Sequence, residues 1–197
     1  MNNKKLITVG ILILLVTIFV TSKYQKYRDE QEYERKITSA YLYTMSRSLH
    51  EMADTLQNVS DGENNVYYYE QFLIKLNTTI EICGIYTGLD DAYHNYIDDI
   101  YLTLDDLEFV LNNGYASNTL YYHEGKSFHI SFQSLLFDDQ ITDNEKEFLY
   151  IIQNDFMTIA KKLWEFTNPS EEEIITIFEP LAKYRYLYEE WTINVKN

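Results

Sequence analysis

The side chains best suited to chemistry are concentrated between positions 90 and 108, where Asp90, Asp91, His94, Asp98, Asp99, Asp105, Asp106 and Glu108 fall on a segment with helical apolar spacing. At about 100° per residue, Asp91, Asp98 and Asp105 form one stripe and Asp99 with Asp106 a second, both opposite the apolar seam, with His94 on a flank. Asp91, His94 and Asp98 stand at the three- and four-residue steps that oxygen-and-imidazole metal sites use. Carboxylate-bridged metal bundles, however, need Glu-x-x-His on two helices with the ligands turned into the core. Here the acids turn away from it, and no Asp-x-Asp-x-Asp-Gly calcium loop occurs. The pattern favours a solvated acidic face, so no metal and no cofactor is assigned.

Other chemistry-bearing residues are scattered. His50, His94, His123 and His129 lack zinc-motif spacing, and His123 and His129, either side of Glu124-Gly125, read as a surface pair. Ser46, Ser48, Ser127, Ser131 and Ser134 sit in no Gly-x-Ser-x-Gly elbow, and no glycine-rich phosphate loop is present. The lone cysteine, Cys83, lies between Ile82 and Gly84 without basic neighbours, the setting of a small core residue and not of a reactive thiol. No catalytic residue is assigned, and the chain is not expected to be an enzyme.

Tyrosine is the compositional oddity, with nineteen copies against six glycines and two prolines. Neighbouring tyrosines on a helix cannot all face inward, so several rings must reach the surface, where a flat apolar ring with a polar tip suits protein or glycan contacts. Tyr43, Tyr67, Tyr68, Tyr121, Tyr122 and Tyr186 form the candidate interaction surface; ordinary half-buried positions are the alternative reading.

The elements that would carry these residues are helices. Ile37, Tyr41, Met45, Leu49, Met52, Leu56 and Val59 recur at helical steps and stop at Asp61-Gly62. A second helix runs from Asn64 or Asn65 to about Thr87, with Tyr69, Phe72 or Leu73, Leu76, Ile80 and Cys83 inward. The third has Tyr93, Ile97, Ile100, Leu104, Leu107 and Leu111 on its seam and ends at Asn113-Gly114. Thr142-x-x-Glu145 and Ser170-x-x-Glu173 are capping boxes opening two more helices, the last interrupted near Phe178 by Pro180. Residues 115–140 lose this period; a small hairpin around Glu124-Gly125 competes with a loop followed by a short helix through Phe132, Leu135 and Leu136, which is slightly favoured because an isolated hairpin is marginal in water.

Ahead of these helices lies Leu6–Val20, fifteen uncharged residues that include Ile11, Leu14, Leu15 and Phe19 and are bracketed by Lys4, Lys5 and Lys23. Counted to Ser22 the segment reaches about 25 Å as a helix, slightly short of a hydrocarbon core of about 30 Å, a deficit that snorkelling lysines can cover. An uncleaved anchor is the preferred reading. A signal peptide cleaved near Ser22, giving a secreted protein, is the alternative. The expected organisation is therefore a membrane anchor (1–22), a charged stalk (23–36) and a helical bundle domain (37–197): all-α, a single transmembrane helix followed by four to five helices.

The net charge of −15 is uneven. Residues 1–36 hold seven basic and four acidic side chains, leaving nine basic and 27 acidic beyond them. Such a surface repels phosphate backbones, so nucleic acid is not an expected partner.

Gly125, Phe128, Ile141-Thr142-Asp143-x-Glu145 and Leu149 resemble the helical extracytoplasmic region of a membrane-anchored bacterial spore-germination protein that partners a cortex-lytic hydrolase. Most of these residues make up a capping box common to many helices, and they assign the chain to no family. The sequence thus leads to the expectation of a single-pass cell-membrane protein whose extracytoplasmic helical domain serves as an interaction, scaffold or regulatory module for another envelope protein or for a second copy of itself. The alternative is a small-ligand sensor with a pocket near Tyr93, Tyr96 and Phe128.

Overall fold

The computed structural model describes the backbone of residues 3–61, 65–87, 94–116, 120–121, 127–128, 131–132, 141–166, 169–185 and 187. Among these, the side chains of 3–12, 60–61, 87, 94–95, 115–116, 120–121, 127–128, 131–132, 144 and 171 lie outside the described residues. The helices begin and end where the breakers stand: α1 (Asn3–Asp61), α2 (Asn65–Thr87), α3 (His94–Asn113), α4 (Asp143–Glu165) and α5 (Glu171–Phe178), continued by a 3-10 helix (Glu179–Tyr184). The chain divides into two units, Met1–Ala40 and Tyr41–Asn197.

The described part of the first unit is residues 3–40 of helix α1. Its surface is apolar from Ile13 to Val20, where Ile13, Leu14, Leu15, Val16, Ile18, Phe19 and Val20 are all exposed, and charged further on. Lys26 meets Glu30 at 3.5 Å and Lys36 meets Glu32 at 2.8 Å, each pair one helical turn apart. Among the described residues no helix is long and apolar enough to cross a membrane. The anchor expected over 1–22 is therefore without support there. The apolar side chains described there run from Ile13 to Val20, and those of residues 6–12 of the same run lie outside the described residues.

The second unit has the core of a helical bundle. Tyr41, Met45, Leu49, Met52, Leu56 and Val59 of α1 join Tyr69, Phe72, Leu76, Ile80 and Cys83 of α2. Ile97, Ile100, Leu104, Leu107 and Leu111 of α3, Phe148, Ile152, Phe156, Ile159 and Leu163 of α4, and Ile174, Ile177, Phe178, Leu181 and Tyr184 complete it. Helix α1 buries more than its single apolar stripe, because Leu42, Ser46, Ala53 and Thr55 are also inside. One flank of α1 faces α2, through Glu51 and Lys75 at 3.0 Å. The other faces α4, through Ser46 and the Ala160 carbonyl at 2.8 Å and through Gln57 and Gln153 at 2.6 Å.

The ends are capped as the residue types dictate. Thr142 and Ser170 each accept from the backbone N–H three residues on, while Glu145 and Glu173 return to the cap backbone, completing both boxes. Gly114 has φ 78° and donates its N–H to the Val110 carbonyl at 2.8 Å, an αL cap. The Tyr69 hydroxyl donates to the Leu111 carbonyl at 2.6 Å, meeting another acceptor that the helix end leaves over. Replacing Gly114 by Ala places a Cβ where L-residues are disfavoured, and should lower the unfolding free energy by about 1–2 kcal/mol in a denaturant titration.

At Pro180 the backbone passes from α5 into the 3-10 helix, as expected of a residue with no amide hydrogen to donate. Between α3 and α4 the two short ladders are antiparallel, with Tyr115 opposite Phe132, Ala116 opposite Ser131, Leu120 opposite Phe128 and Tyr121 opposite Ser127. The pairing puts Phe132 in a strand, where the sequence slightly favours a loop followed by a short helix through Phe132, Leu135 and Leu136, and residues 122–126 lie outside the described residues. The outer ladder runs on from the Gly114 cap, so the hairpin is not isolated and escapes the marginal stability of a lone one. Leu135 and Leu136 lie outside the described residues.

Candidate functional site: an aromatic groove between two helices

Helices α1 and α4 run antiparallel, as their cross-contacts require: Gln57 meets Gln153, Ser46 meets Ala160, and Tyr43 meets Trp164. Ser46 and Ala160 are small, and the Ser46 hydroxyl donates to the Ala160 carbonyl at 2.8 Å at this level. The bulky residues beside them are left to form walls, and the result is an open groove of about 510 Å³. Its lining is Tyr43, Ser46, Arg47, His50, Ala160, Lys161, Trp164 and Glu165.

Tyr43 and Trp164 form the aromatic end. Their ring centroids are 5.8 Å apart and the planes are tilted by 37°. Both remain open to solvent, Tyr43 at 56% and Trp164 at 69% relative exposure. Trp164 belongs to the last turn of α4, one position off the apolar stripe that ends with Leu163, so its ring is directed away from the core.

The polar end is held by a shared carboxylate. Arg47 meets Glu51 through Nε at 2.9 Å and Lys75 meets the other oxygen of Glu51 at 3.0 Å. Hydrogen bonds from Arg47 and then Lys75 hold the Glu51 carboxyl below the usual carboxylate range, and the Glu51 partner in turn raises Arg47. Two cations thus share one anion, and Arg47 makes its Glu51 contact through Nε and not through a terminal amino group. His50 Nε2 is 3.6 Å from Asp54 Oδ2 one turn along. Lys161 has no ion pair among the described residues. Ser46 donates its hydroxyl to a backbone carbonyl, so its proton is already committed. The groove offers two rings and two cations, a set suited to binding.

A second cluster is buried. Lys183 Nζ lies 2.6 Å from Asp155 Oδ2, with side-chain exposures of 8% and 11%. The Tyr184 hydroxyl donates to the same Asp155 oxygen, and Lys183 also sits 5.3 Å from the Tyr184 ring centroid. Burial raises the Asp155 carboxyl above its ordinary value, against the opposing pull of Lys183 and Tyr184. This cluster fastens the 3-10 helix to α4. Asp155 completes the 148-152-155-159 spacing of the α4 core stripe, and an acid at a core position was the signal the sequence carried for it.

Cys83 is a core residue, in contact with Tyr41 Oη at 3.6 Å and Met45 Sδ at 3.7 Å. Burial pushes its thiol up to about 11. At neutral pH the folded protein should therefore react with a thiol-specific disulfide reagent at least about a hundredfold more slowly than the denatured chain, a rate that stopped-flow absorbance measures.

Of the candidate interaction tyrosines, Tyr43, Tyr67 and Tyr68 have described side chains. Tyr43 is at the groove; Tyr67 is exposed on α2 with its ring 5.4 Å from that of Tyr68, and Tyr68 packs half-buried against the core. Tyr121 is in the inner ladder and its side chain lies outside the described residues, as do Tyr122 and Tyr186. Of the acidic stripes on α3, Asp99 and Asp105 are exposed while Asp98 and Asp106 are half-buried. Asp99 meets Arg185 at 3.1 Å. Asp90, Asp91, Tyr93, His123 and His129 lie outside the described residues, as does the His94 side chain, and among the described residues no group of three acids, histidines or cysteines is placed to hold a metal ion. Arg47, Lys161 and Trp164 are groove residues that the sequence reading did not single out. Their association depends on the α1–α4 register, which no local pattern encodes.

No protein-family model matches the chain, and neither a curated protein nor a solved structure is similar to it at a significant level.

Proposed function

We propose that the chain is a membrane-anchored interaction module that docks a partner protein on the α1–α4 groove. The observation that carries this reading is the pair of exposed rings, Tyr43 and Trp164, beside Arg47. Tyrosine, tryptophan and arginine are the residue types that dominate binding energy at protein interfaces. A rigid ring gives contact area at little entropic cost.

Anchoring is supported by the exposed apolar surface of Ile13–Val20 together with the apolar residues Leu6, Ile11 and their neighbours ahead of it. A helix apolar on all sides is disfavoured in water and matched to lipid. On this reading the bilayer is the first partner, and the bundle domain lies on the extracytoplasmic side of the cell membrane as a scaffold or regulator of another envelope protein. Carbonate extraction of cell membranes tests the anchor: retention of the full chain in the pellet is expected, and release would overturn it. Co-purification from detergent extracts tests the docking. A discrete partner recovered with the native chain and with Tyr67→Ala, but lost with Tyr43→Ala/Trp164→Ala, is the expected result; its retention by the double variant would refute the groove.

A small-ligand sensor is the second reading. Its expected pocket near Tyr93, Tyr96 and Phe128 includes Tyr93 and the Phe128 side chain, which lie outside the described residues; the α1–α4 groove, of about 510 Å³, offers another place for a ligand, within the about 300–1,000 Å³ of ligand sites.

A further inference from the structure

We infer that the groove takes a short segment of the partner protein in which a carboxylate side chain stands next to an aliphatic or aromatic one. This rests on the docking reading above and adds the chemistry of the docked segment. The groove departs from the charge character of its chain: acidic residues outnumber Lys and Arg by 31 to 16 overall, yet the lining holds the two cations Arg47 and Lys161 against the single acid Glu165. At physiological ionic strength charges are screened beyond about 8 Å. Within that range the lining acts together with Glu51, whose charge Lys75 also meets, and with Asp54 beside His50, which leaves Lys161 as the cation of the lining without an ion pair among the described residues.

The two kinds of contact are juxtaposed in the right order for one segment. Tyr43 and Trp164 present tilted rings, a platform for an apolar side chain. Arg47 follows Tyr43 by one turn of α1, and Lys161 precedes Trp164 by one turn of α4. Both cations thus stand on the same side of the ring pair, about one helical turn, or ~5.4 Å, along the groove. Because Arg47 engages Glu51 through Nε, its terminal amino groups are available among the described residues to a planar carboxylate, the partner that guanidinium geometry fits. Lys161, with no ion pair among the described residues, adds a second charge across the groove.

The test uses full-length protein in detergent micelles, in a Trp191→Phe background so that Trp164 is the only fluorophore of its kind. Three blocked peptides are titrated: alternating glutamate and leucine, the near-isosteric glutamine and leucine, and lysine and leucine. The glutamate peptide should bind about tenfold more tightly than the glutamine peptide, as expected of a charge-assisted contact, and the lysine peptide most weakly. Lys161→Glu should erase the preference for glutamate while leaving the glutamine peptide within about twofold, the size expected when only an exposed contact is lost. Equal affinity for the glutamate and glutamine peptides overturns the charge inference and leaves docking standing. Tightest binding of the lysine peptide overturns it in favour of a basic partner. Saturable binding by none of the three overturns docking itself. Self-association of the chain that Trp164→Ala abolishes, measured by sedimentation, would assign the groove to a second copy and overturn the inference.

Discussion

Asp155→Ala should lower the unfolding free energy by about 3–5 kcal/mol, the range seen when one member of a buried ion pair is removed. The substitution takes away the carboxylate that Lys183 meets at 2.6 Å and to which the Tyr184 hydroxyl donates. Both partners belong to the 3-10 helix Glu179–Tyr184, whose Pro180 has no amide hydrogen to donate, so the loss falls on the contact that ties this short segment to α4. The double variant Asp155→Leu/Lys183→Met should recover most of that loss, because an apolar pair of similar volume carries no desolvation cost. Equal instability of the single and double variants in urea would show that packing, not charge, fastens this segment. The pH dependence has a definite sign. Burial raises the folded-state value of Asp155 above the ordinary carboxylate range, so the folded protein holds this proton more tightly than the unfolded chain does. The contribution to stability is full below the ordinary carboxylate value and is lost as pH rises through the raised one. Asp155→Asn should therefore remove a downward slope between those two values, read as the difference between the native and variant stability curves. Glu51 and Glu173, whose values are lowered, slope the other way in both proteins.

The second large effect is on binding and leaves the fold intact. Trp164→Ala should weaken partner binding by about thirtyfold or more, the scale of an interface hot spot, while stability stays within about 0.5 kcal/mol, as for an exposed position. Tyr43→Ala should cost less alone, because Trp164 remains as a platform. The two losses should not add, since the rings touch each other. Tyr67→Ala should leave binding unchanged. That contrast separates the groove from a general contribution of exposed tyrosine.

Most of the fold was legible in the sequence, for a simple physical reason. A helix that buries one side must repeat apolar residues at steps of three and four, and its ends must satisfy orphan backbone groups with a small set of residue types. Ile97, Ile100, Leu104, Leu107 and Leu111 were readable on the first ground, and Thr142, Ser170 and Gly114 on the second. Pro180 was readable because it lacks a donor. The hairpin was undervalued because short strands carry weak local signals and owe their stability to the attachment at Gly114. The groove was least legible. Tyr43 was singled out as a tyrosine, but Trp164 is 121 positions away in the chain, and only the antiparallel α1–α4 register, set by Ser46 against Ala160, brings them together. Arg47 and Lys161 read in isolation as ordinary solvated charges; their meaning comes from standing beside two exposed rings.

The docking claim is tested most directly by a photo-reactive phenylalanine analogue placed at position 43 of the full-length chain, with position 67 as the control, followed by mass spectrometry of the adduct. A discrete adduct is expected from position 43 alone, on a partner segment carrying Asp or Glu beside an apolar residue, and it should disappear when Trp164→Ala and Lys161→Glu are added. An adduct that survives those substitutions, or one formed equally from position 67, would contradict it.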